Sequence, residues 1–110
     1  MKVEVTGNIV IITPNKKIDG VEFINKILEA LNEHTDKNFI LDCKNIDYMG
    51  SSDVCIILDM HKRLLKRRSQ LIVCNLHDAV KKLFCIVSLN KIISIYQDKE
   101  HAIAYLSTIS

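Results

Sequence analysis

The chain has 110 residues, 48% of them hydrophobic and 25% charged, which suits one domain over 1–110 with a core that needs no metal or disulfide staple. No uncharged apolar run reaches the ~18 residues of a bilayer span and the first residues do not read as a cleavable leader, so a cytoplasmic protein without membrane insertion is expected. The formal charge of +2 is too small to single out a polyanionic partner.

Taken in order, Val3 and Val5 alternate with polar residues, "GN" at 7–8 offers a tight turn, and "IVIIT" follows at 9–13. The pattern predicts a hairpin, because Gly and Asn tolerate the positive φ of such turns. Ile24, Ile27, Leu28 and Leu31 then recur at i, i+3, i+4 and i+7, the stripe of an amphipathic helix. "NFILDC" at 38–43 and "QLIVC" at 70–74 are short apolar runs that predict buried parallel strands. Between them Val54, Ile57, Leu58, His61, Leu64 and Leu65 share a helical face, with His61 at the margin of the core. Val80, Leu83, Phe84 and Val87 mark another helix, "KIISIY" at 91–96 another strand, and Ala102, Ile103 and Leu106 a terminal helix. A hairpin followed by strand–helix alternation predicts an α/β fold with a largely parallel sheet and crossover helices.

Cys43, Cys55, Cys74 and Cys85 each fall in or beside an apolar run, without a C-x-x-C pair. They read as reduced, buried thiols. His34, His61, His77 and His101 stand at no ligand spacing, so neither a metal nor another cofactor is expected. Charge is unevenly spread: residues 1–55 hold 6 Lys+Arg against 9 Asp+Glu, and residues 56–110 hold 9 against 4. The densest basic run, "HKRLLKRR" at 61–68, has no aromatic platform beside it. It reads as the exposed face and last turn of a helix, where cations meet the negative end of the macrodipole, and not as a nucleic-acid site.

In a parallel α/β sheet, ligands and partners gather where strands end and helices begin. "YMGSSDV" at 48–54 lies on that edge, as do the loops Asn15–Asp19 and Asn75–Asp78. Ser51 or Ser52 could cap the following helix, and Asp53 would complement its dipole. A nucleophile reading lacks the G-x-S-x-G elbow, and a phosphate-cradling reading lacks the glycines and the lysine, so no catalytic residue is assigned. A phosphoacceptor reading fits better, since added negative charge is tolerated at a helix N-terminus and would act on whatever partner presses there.

From "NFILDCKNIDYMGSSDVCIILDMHKRL" through "QLIVCNLHDAVKKLFCIVSLNKIISIYQDKEHAIAYL" the chain resembles a STAS domain of the bacterial anti-sigma factor antagonist type. "AVKKLF" and "LNKII" match that pattern well, and "IVIITPNKKID" matches it loosely, with Asp19 at the position of a turn aspartate. The resemblance implies one sheet with helices mainly on one face, and a non-enzymatic, monomeric or weakly dimeric protein. It implies an anti-sigma factor serine kinase as partner, a sigma factor freed by partner switching, and Ser51 as the phosphorylated serine. The partner-binding set on this reading is Asp19, Met49, Gly50, Ser51, Ser52, Asp53, Asn75 and His77. An alternative is a constitutive STAS subunit of a signalling or lipid-transport ATPase assembly. The chain departs from the pattern at Gly50, where an aspartate is usual, and at Asp53 and Cys55, where glycines are usual. Asp53 is expected to repel a phosphate on Ser51 and to slow its addition.

Overall fold

The computed structural model describes residues 1–16 and 20–109. Its elements are β1 (Lys2–Thr6), β2 (Ile9–Thr13), α1 (Gly20–Glu33), β3 (Asn38–Asp42), α2 (Ser51–Lys66), β4 (Leu71–Cys74), α3 (Asp78–Ile86), β5 (Ser94–Tyr96) and α4 (Lys99–Ile109). The strands form one five-stranded sheet in the order β1-β2-β3-β4-β5. β1 runs antiparallel to β2 and every later pairing is parallel. The hairpin forms as expected: Thr6 faces Ile9 across a two-residue turn whose first residue, Gly7, has φ +56.

Alternation along the strands sends residues to two separate cores. Val10, Ile12, Phe39, Leu41, Leu71 and Val73 join side chains of α1, α2 and α3 on one face. Ile9, Ile11, Ile40, Ile72 and Cys74 pack with Ala102 and Leu106 of α4 on the other. Both faces are covered, which is why β2, β3 and β4 read as continuous apolar runs. Three helices on one side and one on the other give the expected one-sided arrangement. Tyr96 and Tyr105 stack at 5.3 Å beside the smaller core. Asp98 caps α4 by accepting the His101 amide at 2.8 Å. That hydrogen bond, with the His101 side chain, holds the Asp98 carboxyl below its ordinary range.

Several local expectations shift. The buried stripe of α1 is Phe23, Ile27, Ala30 and Leu31, while Ile24 is exposed and Leu28 half-buried. In α2 the buried stripe is Asp53, Ile57, Met60 and Leu64, and Leu65 is 62% exposed. A wide apolar arc cannot all face a flat sheet, and the centre of the arc wins. Val87 lies past the end of α3 and is exposed. The run "KIISIY" is only half strand, because Ser88 turns left-handed at φ 60 and starts a 3-10 turn over Leu89–Lys91. Leu89 and Ile93 plug that turn into the core. Cys43 and Cys74 are buried, but Cys55 and Cys85 are exposed.

The basic run also divides. Arg67 caps the end of α2 and turns inward, its guanidinium donating to Leu31 O and His34 O at 2.6 Å each. These are carbonyls at the end of α1, which the helix itself leaves unpaired. The same group lies 5.7 Å from the centroid of the Phe39 ring.

Candidate functional site

β2, β3 and β4 end side by side, so the segments after Thr13, Asp42 and Cys74 share one edge of the sheet. Asp42, 1% exposed, organises that edge from below. Its Oδ1 accepts the Lys44 amide at 3.1 Å and the Asn75 side-chain amide at 2.9 Å, joining the loop after β3 to the loop after β4. Asn75 takes the left-handed φ of 57 that this reach requires, a conformation Asn tolerates better than most residues. His77 makes a second tie, its Nε2 lying 2.8 Å from Lys44 O. A carbonyl only accepts, so Nε2 carries the proton. On the other side, Asn45 Nδ2 donates to Pro14 O at 3.4 Å, linking the loop after β2.

The segment from Cys43 to Gly50 is anchored by Ile46 and Met49, which are buried in the larger core. Met49, expected among the partner contacts, is 5% exposed, so its side chain holds the loop from inside. Tyr48 beside it is 68% exposed and points outward. Sequence reading passed over it, although it opens the "YMGSSDV" motif. Asp42 was also missed, and no local signal marks it, since its role depends on a residue 33 positions away.

Gly50 is the N-cap of α2, with extended backbone at φ −99 and ψ −179. Ser51 and Ser52 are therefore the first two residues of the helix, and no side chain caps it. The expectation that a serine caps α2 is corrected here. Capping needs the residue before the first helical one, and the helix starts one residue too early for either hydroxyl. Instead Asp53 folds back, its Oδ2 accepting the Gly50 amide at 2.8 Å. Asp53 is 7% exposed, and its Oδ1 is buried without a hydrogen-bond partner. Ser51 and Ser52 are both exposed.

The structure thus brings Gly50, Ser51, Ser52, Asp53, Asn75 and His77 to one edge, with Met49 beneath them. Asp19 lies outside the described residues. Chemically the edge presents neutral hydroxyls on the positive end of a helix, framed by Tyr48, Asn75 and His77. Among the described residues, no group of three or more His, Cys, Asp or Glu side chains is arranged to hold a metal ion. Among them, too, no helix is long and apolar enough to cross a membrane.

Comparison with known proteins agrees with this arrangement. The STAS domain family profile matches residues 1–102. The anti-sigma F factor antagonist of Paenibacillus polymyxa is 28% identical over 82 residues, covering 74% of this chain and 70% of that protein. Among solved structures, the anti-sigma factor antagonist SpoIIAA in its unphosphorylated form superposes with a TM-score of 0.81 at 21% identity, covering 99% of this chain and 97% of that one. The Bacillus cell fate determinant SpoIIAA in its phosphorylated form gives 0.70 at 21% identity, covering 96% and 97%. At these identities the two structures show a shared fold.

Proposed function

We propose that this chain, which belongs to the STAS domain family, acts as an anti-sigma factor antagonist. Its distant kinship with the anti-sigma F factor antagonist makes it a non-catalytic regulator. On our reading it docks on an anti-sigma factor serine kinase through the Ser51 edge of the sheet, in the cytoplasm, and so frees a sigma factor. Phosphorylation of Ser51 by that kinase then releases it.

One observation carries the reading: Ser51 is exposed on the first turn of α2, with its hydroxyl uncommitted to capping. A kinase can take such a hydroxyl without unravelling the helix. Phosphoryl transfer forms the Oγ–P bond as the bond between the γ-phosphorus and the β-phosphate's bridging oxygen breaks; the Ser51 hydroxyl proton passes to a base of the kinase, and ADP leaves. The product adds about −1.5 to −2 charge at pH 7. At a helix N-terminus this charge suits the antagonist itself, so the electrostatic cost falls on the bound partner. SpoIIAA, whose fold this chain shares, is known in unphosphorylated and phosphorylated forms, which supports a phosphorylated state for this chain as well.

The test is intact-mass measurement after incubation with ATP and the candidate kinase. We expect a gain of one phosphate in the wild type and none in Ser51→Ala. Undiminished binding with no phosphate gain would end the switch and leave a constitutive scaffold subunit in its place.

A further inference from the structure

We propose that β1 is a docking strand for a second copy of this chain, pairing antiparallel with its counterpart about a two-fold axis through Val3. β1 is the edge of the sheet, with β2 as its one neighbour among the described residues. Such an edge carries a row of unpaired backbone groups unless something protects it. Here it also carries two half-exposed valines, Val3 at 44% and Val5 at 50%. Neither proline nor a bulge interrupts the run Lys2–Thr6, which pairs residue for residue with β2.

The hairpin determines which backbone groups are free. Thr6 and Ile9 flank the two-residue turn and form a hydrogen-bonded pair. Pairs alternate along an antiparallel ladder, so Lys2, Glu4 and Thr6 direct their amides and carbonyls toward β2. Val3 and Val5 direct theirs outward. A second β1 must therefore match odd residues with odd residues, and three two-fold registers bring the strands together.

Centred on Glu4, the register sets the two Glu4 side chains face to face in a pair where the strands approach most closely, and like charges opposite one another are destabilising. Centred on Val5, it sets Val3 against Gly7, which has no side chain, Lys2 against Asn8 of the turn and Glu4 against Thr6, so neither charge meets its opposite. Centred on Val3, it sets Val3 against Val3, Val5 against Met1, and Lys2 against Glu4 of the second copy, twice. Lys2 and Glu4 already share a face, with Lys2 Nζ 3.7 Å from Glu4 Oε2. Charge selects the Val3 register.

The apolar side agrees. Val3 and Val5 face the same way as Ile12 and Val10, their partners in the ladder, toward the larger core. Beside them lies a groove of about 320 Å³ between β1 and α1, walled by Met1, Val3 and Ala30 and rimmed by Lys26, Glu29 and Glu33. In the Val3 register, methionine and valine side chains of both copies lie along this strip. The two-fold axis points the two Ser51 edges in opposite directions, so both stay open to other partners. The inference is independent of the kinase reading.

Sedimentation equilibrium over a hundredfold range of concentration tests it. We expect a monomer passing to a dimer, with nothing larger, since a two-fold pairing closes on itself. Val3→Pro removes an outward amide while sparing the ladder to β2, and should be monomeric. Val3→Lys, which leaves the backbone alone and sets like charges opposite, should shift the equilibrium about tenfold or more toward monomer. The register is read by cysteine in a Cys55→Ser, Cys85→Ser background. Val3→Cys should cross-link to its copy, whereas Val5→Cys should not, because the two copies of that position lie roughly 13 Å apart along the strands. A monomer at every concentration, a dimer undiminished in Val3→Lys, or cross-linking through Val5→Cys in preference to Val3→Cys would overturn the proposal.

Discussion

Removing the Arg67 guanidinium should weaken the fold more than any other change to a basic residue in the 61–68 run. Arg67 donates to two carbonyls at the end of α1, Leu31 O and His34 O, at 2.6 Å each. A hydrogen bond from a charged group contributes ~1.5–3 kcal/mol, and a cation at a helix C-terminus adds ~0.3–1 kcal/mol. The Phe39 ring beneath it, 5.7 Å from the guanidinium carbon, adds a cation–π contact. Against this stands the cost of burial, which lowers the pKa of the guanidinium and leaves Nε without a partner. Water also reaches half-buried carbonyls once the donor is gone. The net loss for Arg67→Met, which keeps an apolar stem over Phe39, should be about 2–3 kcal/mol. For a chain of this size that is a fall in Tm of roughly 10 °C. Arg67→Lys keeps the charge but not the fork and should fall between the two. Urea unfolding followed by far-UV circular dichroism, with an unchanged m value, is the assay. A midpoint for Arg67→Met that corresponds to less than about 0.5 kcal/mol of loss would refute the account.

Ser51→Asp should lower affinity for the candidate kinase about tenfold or more while leaving stability equal or slightly raised, since the charge suits the helix and not the interface. Calorimetry and thermal melts on the same variant separate the two effects. With dithionitrobenzoate, Cys55 and Cys85 should react in the native state and Cys43 and Cys74 only on unfolding. Burial pushes the Cys74 thiol up to about 12 and raises Cys43 still further, while unfolded thiols ionise near ~8.5. Both therefore stay protonated when folded and lose protons on unfolding, so stability should fall as pH rises from about 9 toward 12. The slope should be shallower in Cys74→Ala. Finally, Asp53→Ala should cost about 1 kcal/mol through loss of the bond to the Gly50 amide, and adding Gly50→Asp should recover part of it by capping α2 directly. A cycle of urea midpoints with no coupling between positions 50 and 53 would refute that relation.

Where burial follows a period, the sequence told the structure well. The short, continuous apolar runs of β3 and β4 pointed to strands covered on both sides, and the alternation around them left few topologies. Choices within an apolar arc were less legible. Met60 displaces Leu65 because the axis of α2 relative to the sheet, and not hydrophobicity, decides which residues are central. Arg67 looked like one more surface cation because its acceptors lie 36 and 33 residues away. The candidate site divides in the same way. Gly50 to Asp53 announced themselves by their place at a strand-to-helix junction. The ties from Asp42 to Asn75 and from His77 to Lys44 exist only once β3 and β4 are adjacent.

The departure at Gly50 and Asp53 looks different in space than in sequence. The usual pattern places an acid directly before the serine pair, and this chain places it directly after. Yet a Cβ at Gly50 would lie only 3.8 Å from Asp53 Oδ2, the oxygen that already accepts the Gly50 amide. The carboxylate stands three positions later in the chain than the usual pattern places it, yet it lies beside residue 50. It still complements the positive end of α2 and still holds an amide there. What changes is exposure, because the Asp53 carboxylate is buried. Asp53 is also the one acid in the first turn, so the exposed part of that turn is neutral before any modification. Under the proposed switch Asp53 does more than repel a phosphate on Ser51, since it also leaves the exposed face of the turn neutral. A phosphate on Ser51 would take the exposed face of the turn from neutral to about −1.5 to −2 beside the positive end of the helix. An exposed aspartate at position 50 would blunt that contrast by supplying negative charge to the partner in both states. Turning the acid inward keeps the helix start stable and leaves the charge that the first turn of α2 shows a partner to Ser51 alone.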